Sequence, residues 1–234
     1  MGQKVRPTGF RTGVMIDWKS QWSASVKKEF PELLLEDRKI RAFINKEYRA
    51  ALVSMVRIER TREKVIVYIH AAKVGSIIGQ KGAKIDELTE KLKDMFNREI
   101  EVKTIEVHRP QTDPQILSRE IADNLEKRQS FRRTLKRALE QAMESGARGV
   151  RIQMSGRLGG AEMARCESGM LGSIPLSTLR SRVEYGFSEA STPQGNIGIK
   201  VWVNNGDYLT EESGDGPNAQ ARKVSKKPAR SGKR

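Results

Sequence analysis

The clearest hydrophobic signal along the chain is a strand, in which Val65, Val67 and Ile69 alternate with Ile66, Tyr68 and His70. A period of two sends successive side chains to opposite faces of a sheet, so at least one face of this segment is buried. Beyond a short Gly79-Gln80-Lys81-Gly82 loop, Ile85, Leu88, Leu92 and Met95 or Phe96 recur at helical spacing and predict an amphipathic helix. Alternation returns over 99–107 as a further strand. Upstream, Leu52, Ser54, Val56 and Ile58 alternate with Val53, Met55, Arg57 and Glu59, and Thr61-Arg62-Glu63-Lys64 joins that strand to the next as a hairpin. From Ser20 to Tyr48 the apolar positions Val26, Phe30, Leu33, Leu34, Ile40, Phe43 and Ile44 form a broken helical stripe, interrupted or restarted at Pro31.

The second half begins at Pro110 and Pro114, which bracket a turn and a helix start. Leu117, Ile121 and Leu125 line one helix; Phe131, Leu135, Leu139 and Ala142 line a second that ends at Gly146. Val150, Ile152 and Met154 predict a strand with a polar opposite face. Val183, Tyr185 and Phe187 predict another, Ser188 to Asn196 a hairpin connection, and Ile197, Ile199, Val201 and Val203 the return strand. Trp202 lies on the opposite face of that return strand, where core or interface burial explains it. The pattern predicts an α+β protein of two domains, 17–107 and 108–209, the second with its helices packed on one face of a mostly antiparallel sheet. Residues 1–16 read as an irregular basic arm. Apolar residues nearly vanish over 210–234, which reads as a disordered basic tail with either an RNA-steering or a solubilising role.

The Gly79–Gly82 loop carries the first candidate chemistry. Two glycines tolerate unusual backbone angles and admit a partner's backbone, while the amides opening the following helix favour an anion and Lys81 and Lys84 add charge. With Ile77 and Ile78 before it and an amphipathic helix after it, the loop resembles the core of a KH domain, in which such a loop clamps nucleic-acid backbone. The order helix, strand, strand, helix, loop, helix, strand resembles the type-two, prokaryotic arrangement of that domain.

A second candidate lies on the predicted helix from Phe131. Arg132 and Lys136, and likewise Arg133 and Arg137, stand four apart, and like charges at that spacing repel unless an anion compensates them. A third is the glycine-rich stretch 156–165, where Arg157 and Arg165 form a basic pair beside three glycines that allow close backbone approach. Trp18 and Trp22, spaced four apart, are assigned to packing in preference to base stacking. His70, at the end of a strand, has no assigned role.

Charge sharpens these readings. Among 234 residues, 44 Lys and Arg stand against 29 Asp and Glu, a formal net charge of +15. That excess predicts a polyanionic partner, nucleic acid foremost, bound in a salt-sensitive way. The single cysteine, Cys166, excludes an intramolecular disulfide, and with His70 and His108 it offers no zinc pattern. No string of Walker A type occurs, no cofactor motif is present, and no apolar run is long enough to span a bilayer. The N-terminal residues lack a signal-peptide core, which points to a reducing, cytoplasmic compartment.

Six strings extend the resemblance beyond a module: 1–5 (MGQKV), 78–82 (IGQKG), 131–138 (FRRTLKRA), 155–162 (SGRLGGAE), 175–180 (PLSTLR) and 198–202 (GIKVW). In this order they are similar to the bacterial-type small-subunit ribosomal protein S-three family over residues 1–209. The resemblance implies a non-enzymatic protein of the small-subunit head that binds ribosomal RNA beside proteins S-ten and S-fourteen. It further implies that one side faces the channel by which messenger RNA enters, with Arg132, Arg133 and Lys136 melting messenger structure passively. Ser173 and Ser177 depart from the family's usual basic residue and histidine, whereas Arg180 remains available for RNA. Two other classes stay in view: a free KH-type protein binding single-stranded RNA, and a lysine-dependent nucleic-acid lyase, for which no constellation of residues is present.

Overall fold

The structure, a computed structural model, describes residues 5–24, 26–61 and 64–208, with the side chain of Lys81 outside this set. The tail expected at 210–234, and Arg62 and Glu63 of the expected hairpin turn, lie outside the described residues. The elements are α1 (Pro7–Arg11), β1 (Ser20–Gln21), α2 (Phe30–Glu47), β2 (Val53–Arg60), β3 (Lys64–Ala71), α3 (Val74–Ile78), α4 (Ala83–Phe96), β4 (Glu99–Glu106), α5 (Pro114–Glu126), α6 (Phe131–Glu144), β5 (Gly149–Gly156), β6 (Arg165–Gly172), β7 (Ser181–Thr192) and β8 (Gly195–Asp207). They form an α+β protein with two four-stranded sheets, ordered β1-β2-β3-β4 and β6-β5-β8-β7.

In the first sheet, β2 and β3 run antiparallel, while β1 joins β2 and β4 joins β3 in parallel. The alternation of β3 becomes strict burial of Val65, Val67, Ile69 and Ala71, which meet Ile40 and Ile44 of α2 and Leu88 and Leu92 of α4. On β2 the phase slips at a bulge between Val53 and Met55, so Val53, Val56 and Ile58 are buried together although they do not fit one period of two.

The second sheet is antiparallel throughout. One face is covered by α5 and α6: Leu117, Ile121 and Leu139 close over Val150, Ile152, Ile199 and Val201. Two glycines set how closely the helices approach. A Cβ on Gly169 would stand 2.6 Å from Leu135 of α6, and one on Gly186 only 2.2 Å from the Pro114 carbonyl at the start of α5.

Several expectations are corrected. Residues 20–24 and 26–29 are not helical: Ser20 and Gln21 pair with Ile58 and Glu59, and the helix starts at Phe30, with Pro31 in its first turn. Trp18 and Trp22 therefore share no helical face, and Trp18 is 64% exposed. The expected loop from Ser188 is strand as far as Thr192, leaving only Pro193 and Gln194 between β7 and β8. Strand β6 has no counterpart in the hydrophobic pattern.

The N-terminal arm is also ordered where it is described. Pro7–Arg11 makes a helical turn, and the fully buried guanidinium of Arg11 donates to the carbonyls of Ser181 at 2.8 Å, Thr178 at 2.8 Å and Pro7 at 3.1 Å, with longer bonds to Pro175 and Leu176. The arm thus docks on the second sheet before the chain enters the first. A further tie crosses between the two sheets, as Arg49 reaches Asp123 at 2.9 Å and Glu126 at 2.8 Å on α5.

Candidate nucleic-acid interface

The glycine loop is built between two helices that are both pinned to the first sheet's core. Ile77 is fully buried and anchors α3, whereas Ile78 is 36% exposed at the loop's lip. Gly79 has φ +72° and ψ −168°, and Gly82 has φ +86°. The first pair of angles is open essentially to glycine alone, and the second lies in the left-handed region. Gly79 also makes room for a cation, since a Cβ there would meet the Lys84 stem at 2.7 Å.

Gly82 is the N-cap of α4, and no side chain caps that terminus. The Ala83 amide is taken by the Gln80 carbonyl, and the amides that follow it in the first turn face an external acceptor in the field of a helix running to Phe96. Asp86 in the first turn offsets part of this field, and Lys84 restores it. Gln80 is exposed. The loop can therefore seat a phosphate against backbone amides with one lysine nearby.

The second candidate surface forms around α6. Arg132, Arg133, Lys136 and Arg137 are all exposed, opposite the buried Thr134, Ala138 and Leu139. Among the described residues only Lys136 of these makes an ion pair, a loose one at 3.8 Å to Glu140. Edge strand β6 then contributes Arg165. Its guanidinium lies 5.3 Å from the Phe131 ring centre, and that of Arg132 lies 5.6 Å from the same ring. Phe131 thus gathers cations from two elements into one basic surface, a junction that spacing alone could not reveal because β6 carries no hydrophobic period.

The remaining predicted residues are placed differently. Arg157 spends donors on its own loop, at 2.9 Å to the Ala161 carbonyl and 3.1 Å to the Gln194 carbonyl, and so ties the glycine-rich turn to the β7–β8 turn. Arg180 is exposed just before β7, and its carbonyl accepts from the Tyr208 amide at 2.9 Å. The geometry joins Arg132 and Arg165; the Gly79–Gly82 loop forms its own site on the first sheet's side of the chain.

Sequence reasoning missed two buried polar groups that hold these surfaces in place. One is Arg11, described above. The other is Asp37 on α2, fully buried, which accepts from Arg60 at 2.6 and 2.9 Å, from Trp22 at 2.8 Å and from Ser20 at 2.9 Å. Arg60 also lies 5.6 Å from the Trp22 ring centre, so Trp22 is held by an ion pair and is not a free stacking surface. No helix among the described residues is long and apolar enough to cross a membrane.

Comparison with known proteins matches residues 39–112 to the KH domain family and residues 121–203 to the family described as Ribosomal protein S3, C-terminal domain. Small ribosomal subunit protein uS3 of Rhodopirellula baltica is 52% identical over 239 residues, covering 100% of both chains. The protein of the same name in Clostridioides difficile is 47% identical over 223 residues, 95% of this chain and 82% of that one. That of Syntrophomonas wolfei is 47% identical over 211 residues, 90% and 92% of the two chains. The resemblance carried by the six strings is confirmed along the whole length, and the chain belongs to the small ribosomal subunit protein uS3 family.

Proposed function

We propose that this chain is a structural, non-enzymatic RNA-binding component of the small-subunit head, acting on the ribosome in the cytoplasm. It binds small-subunit ribosomal RNA, and its RNA-binding residues include Gly79, Gln80, Lys81, Gly82 and Lys84, in a loop that takes either ribosomal or messenger RNA, together with Arg157, Arg165 and Arg180. Proteins S-ten and S-fourteen are its neighbours, and residues 17–107 and 108–209 are its two working units. The α6 face lines the channel by which messenger RNA enters, where Arg132, Arg133, Lys136 and Arg137 hold the strands of a melting hairpin apart by binding their phosphates, without nucleotide hydrolysis.

The observation that carries this reading is the α6 face itself: four exposed cations with a single loose carboxylate partner, continued by Arg165 across Phe131. Such a surface is self-repelling until polyanion covers it, and release of condensed counterions then drives binding. The test is the combined Arg132→Ala, Arg133→Ala, Lys136→Ala variant. These side chains are exposed, so subunit assembly should persist while translation through a stable messenger hairpin slows relative to an unstructured message. Equal speed on both messages overturns the assignment.

A further inference from the structure

The outer face of the second sheet, away from α5 and α6, is used by nothing described so far. Register places Arg151 of β5, Trp202 of β8 and Tyr185 of β7 in one row across three strands, and Gln153, Lys200 and Phe187 in the next. Opposed residues share a face. The Arg151 guanidinium lies 5.2 Å from the Trp202 ring centre, and the Trp202 and Tyr185 rings are 5.4 Å apart at 60°. Arg6 of the arm caps the row, 5.4 Å from the Tyr185 ring centre.

This face does not look like the solvent side of an ordinary sheet. The helix-covered side of β7 carries Glu184, Gly186, Ser188 and Ala190, so the aromatic members of that strand point outward. Trp202, Tyr185 and Phe187 are only half-buried, and Lys200 is exposed. Among the described residues, Arg6, Arg151 and Lys200 have no ion pair. Aromatic rings offer stacking planes to any base, and the interleaved cations match phosphates.

We propose that this face is a docking platform for single-stranded RNA, separate from the glycine loop and the α6 surface. Unpaired bases stack on Trp202 and Tyr185, and Arg151 and Lys200 take the flanking phosphates. The proposal rests on the reading of the chain as RNA-binding but adds a third binding surface to it. An acidic protein partner would satisfy the cations, yet leaves the planar rings without a planar occupant; RNA supplies both.

The test uses the full-length chain and a short oligouridine carrying iodouridine, cross-linked by long-wave ultraviolet light and mapped by mass spectrometry. Cross-links in peptides containing Trp202 or Tyr185 are expected. Trp202→Leu should weaken binding about tenfold. The Arg151→Gln, Lys200→Gln variant, which leaves the rings and the core untouched, should flatten the salt dependence of binding by about 0.7 in log–log slope for each phosphate it no longer neutralises. Cross-links confined to the glycine loop and α6, with affinity and salt slope of the double variant unchanged, overturn the platform while leaving the general RNA reading intact. Absence of cross-links anywhere on the chain overturns both, and mapping of this face to a neighbouring protein in assembled subunits replaces RNA with that partner.

Discussion

Asp37 shows how a single buried carboxylate organises a region that periodicity describes poorly. With no exposure, it is satisfied as an acceptor because Arg60, Trp22 and Ser20 all donate to it. Removing it by Asp37→Ala leaves the Arg60 guanidinium, whose side chain is 6% exposed, with only Glu36 as a charged partner. A loss of about 3–5 kcal/mol is expected from denaturant midpoints, as for other broken buried pairs. His70 gives a pH signature. Burial first, and the nearby Arg57 second, hold its pKa below the ordinary value, against a weaker opposing pull from Asp113. The unfolded chain therefore binds the proton more readily than the folded one, so stability rises with pH through this window and is lost as pH falls below about 6.5 toward the folded value. In His70→Gln that acid-side loss should shrink, read as a flatter plot of melting temperature between neutral and mildly acid pH.

Gly186 sets the spacing of an element against its sheet. Because a Cβ there would stand 2.2 Å from a main-chain oxygen of α5, Gly186→Ala must push the helix off β7. A destabilisation of about 3 kcal/mol is expected, measured as a lowered unfolding midpoint with retained helical circular dichroism. The same close packing explains what the chain concealed. Strands whose core face is lined by large aliphatics, such as β3 and β8, were legible because the period-two pattern and the buried face coincide. In β7 they oppose one another: α5 lies so near that the core face is Gly186, Ser188 and Ala190, and of the residues that announced the strand Tyr185 and Phe187 point outward while Val183 is buried. In β6 the core-side residues are Arg165, Glu167, Gly169 and Leu171, a set without hydrophobic period because Leu135 and Leu139 fill the space over Gly169. The glycine loop and the α6 cations were legible because both depend on local spacing. The joining of Arg165 to Arg132 was not, since it depends on an edge strand that leaves no periodic trace.

At the scale of the whole molecule, the docked arm and the ion pairs from Arg49 to α5 decide whether the basic surfaces hold a fixed relation. The exposed Arg49 ion pairs are worth at most about 1 kcal/mol together with solvent screening, so the buried Arg11 clasp carries more of that task. Arg11→Met keeps side-chain bulk but takes the guanidinium from the Ser181 carbonyl and leaves those of Thr178 and Pro175 with only the long backbone bonds from the Ser181 and Thr178 amides, at 3.3 and 3.4 Å. A loss of about 2–4 kcal/mol is expected, with faster hydrogen exchange at the amides of Ser181 and Tyr208, next to the freed carbonyls, and little change within β3 and α4. Unchanged exchange at those amides would show that the arm docks without its arginine.

The clasp also fixes an order of events during synthesis. Arg11 is made early, yet four of its five carbonyl acceptors lie 164 to 170 positions later. The first sheet can complete itself from its own segment while the arm still hangs free, since chains fold domain by domain as they emerge. Only after the start of β7 has left the tunnel does the buried guanidinium find its cage. An unsealed arm is thus the mark of an unfinished chain, and arm protection, followed on stalled nascent chains of increasing length, should report the moment at which the molecule becomes whole.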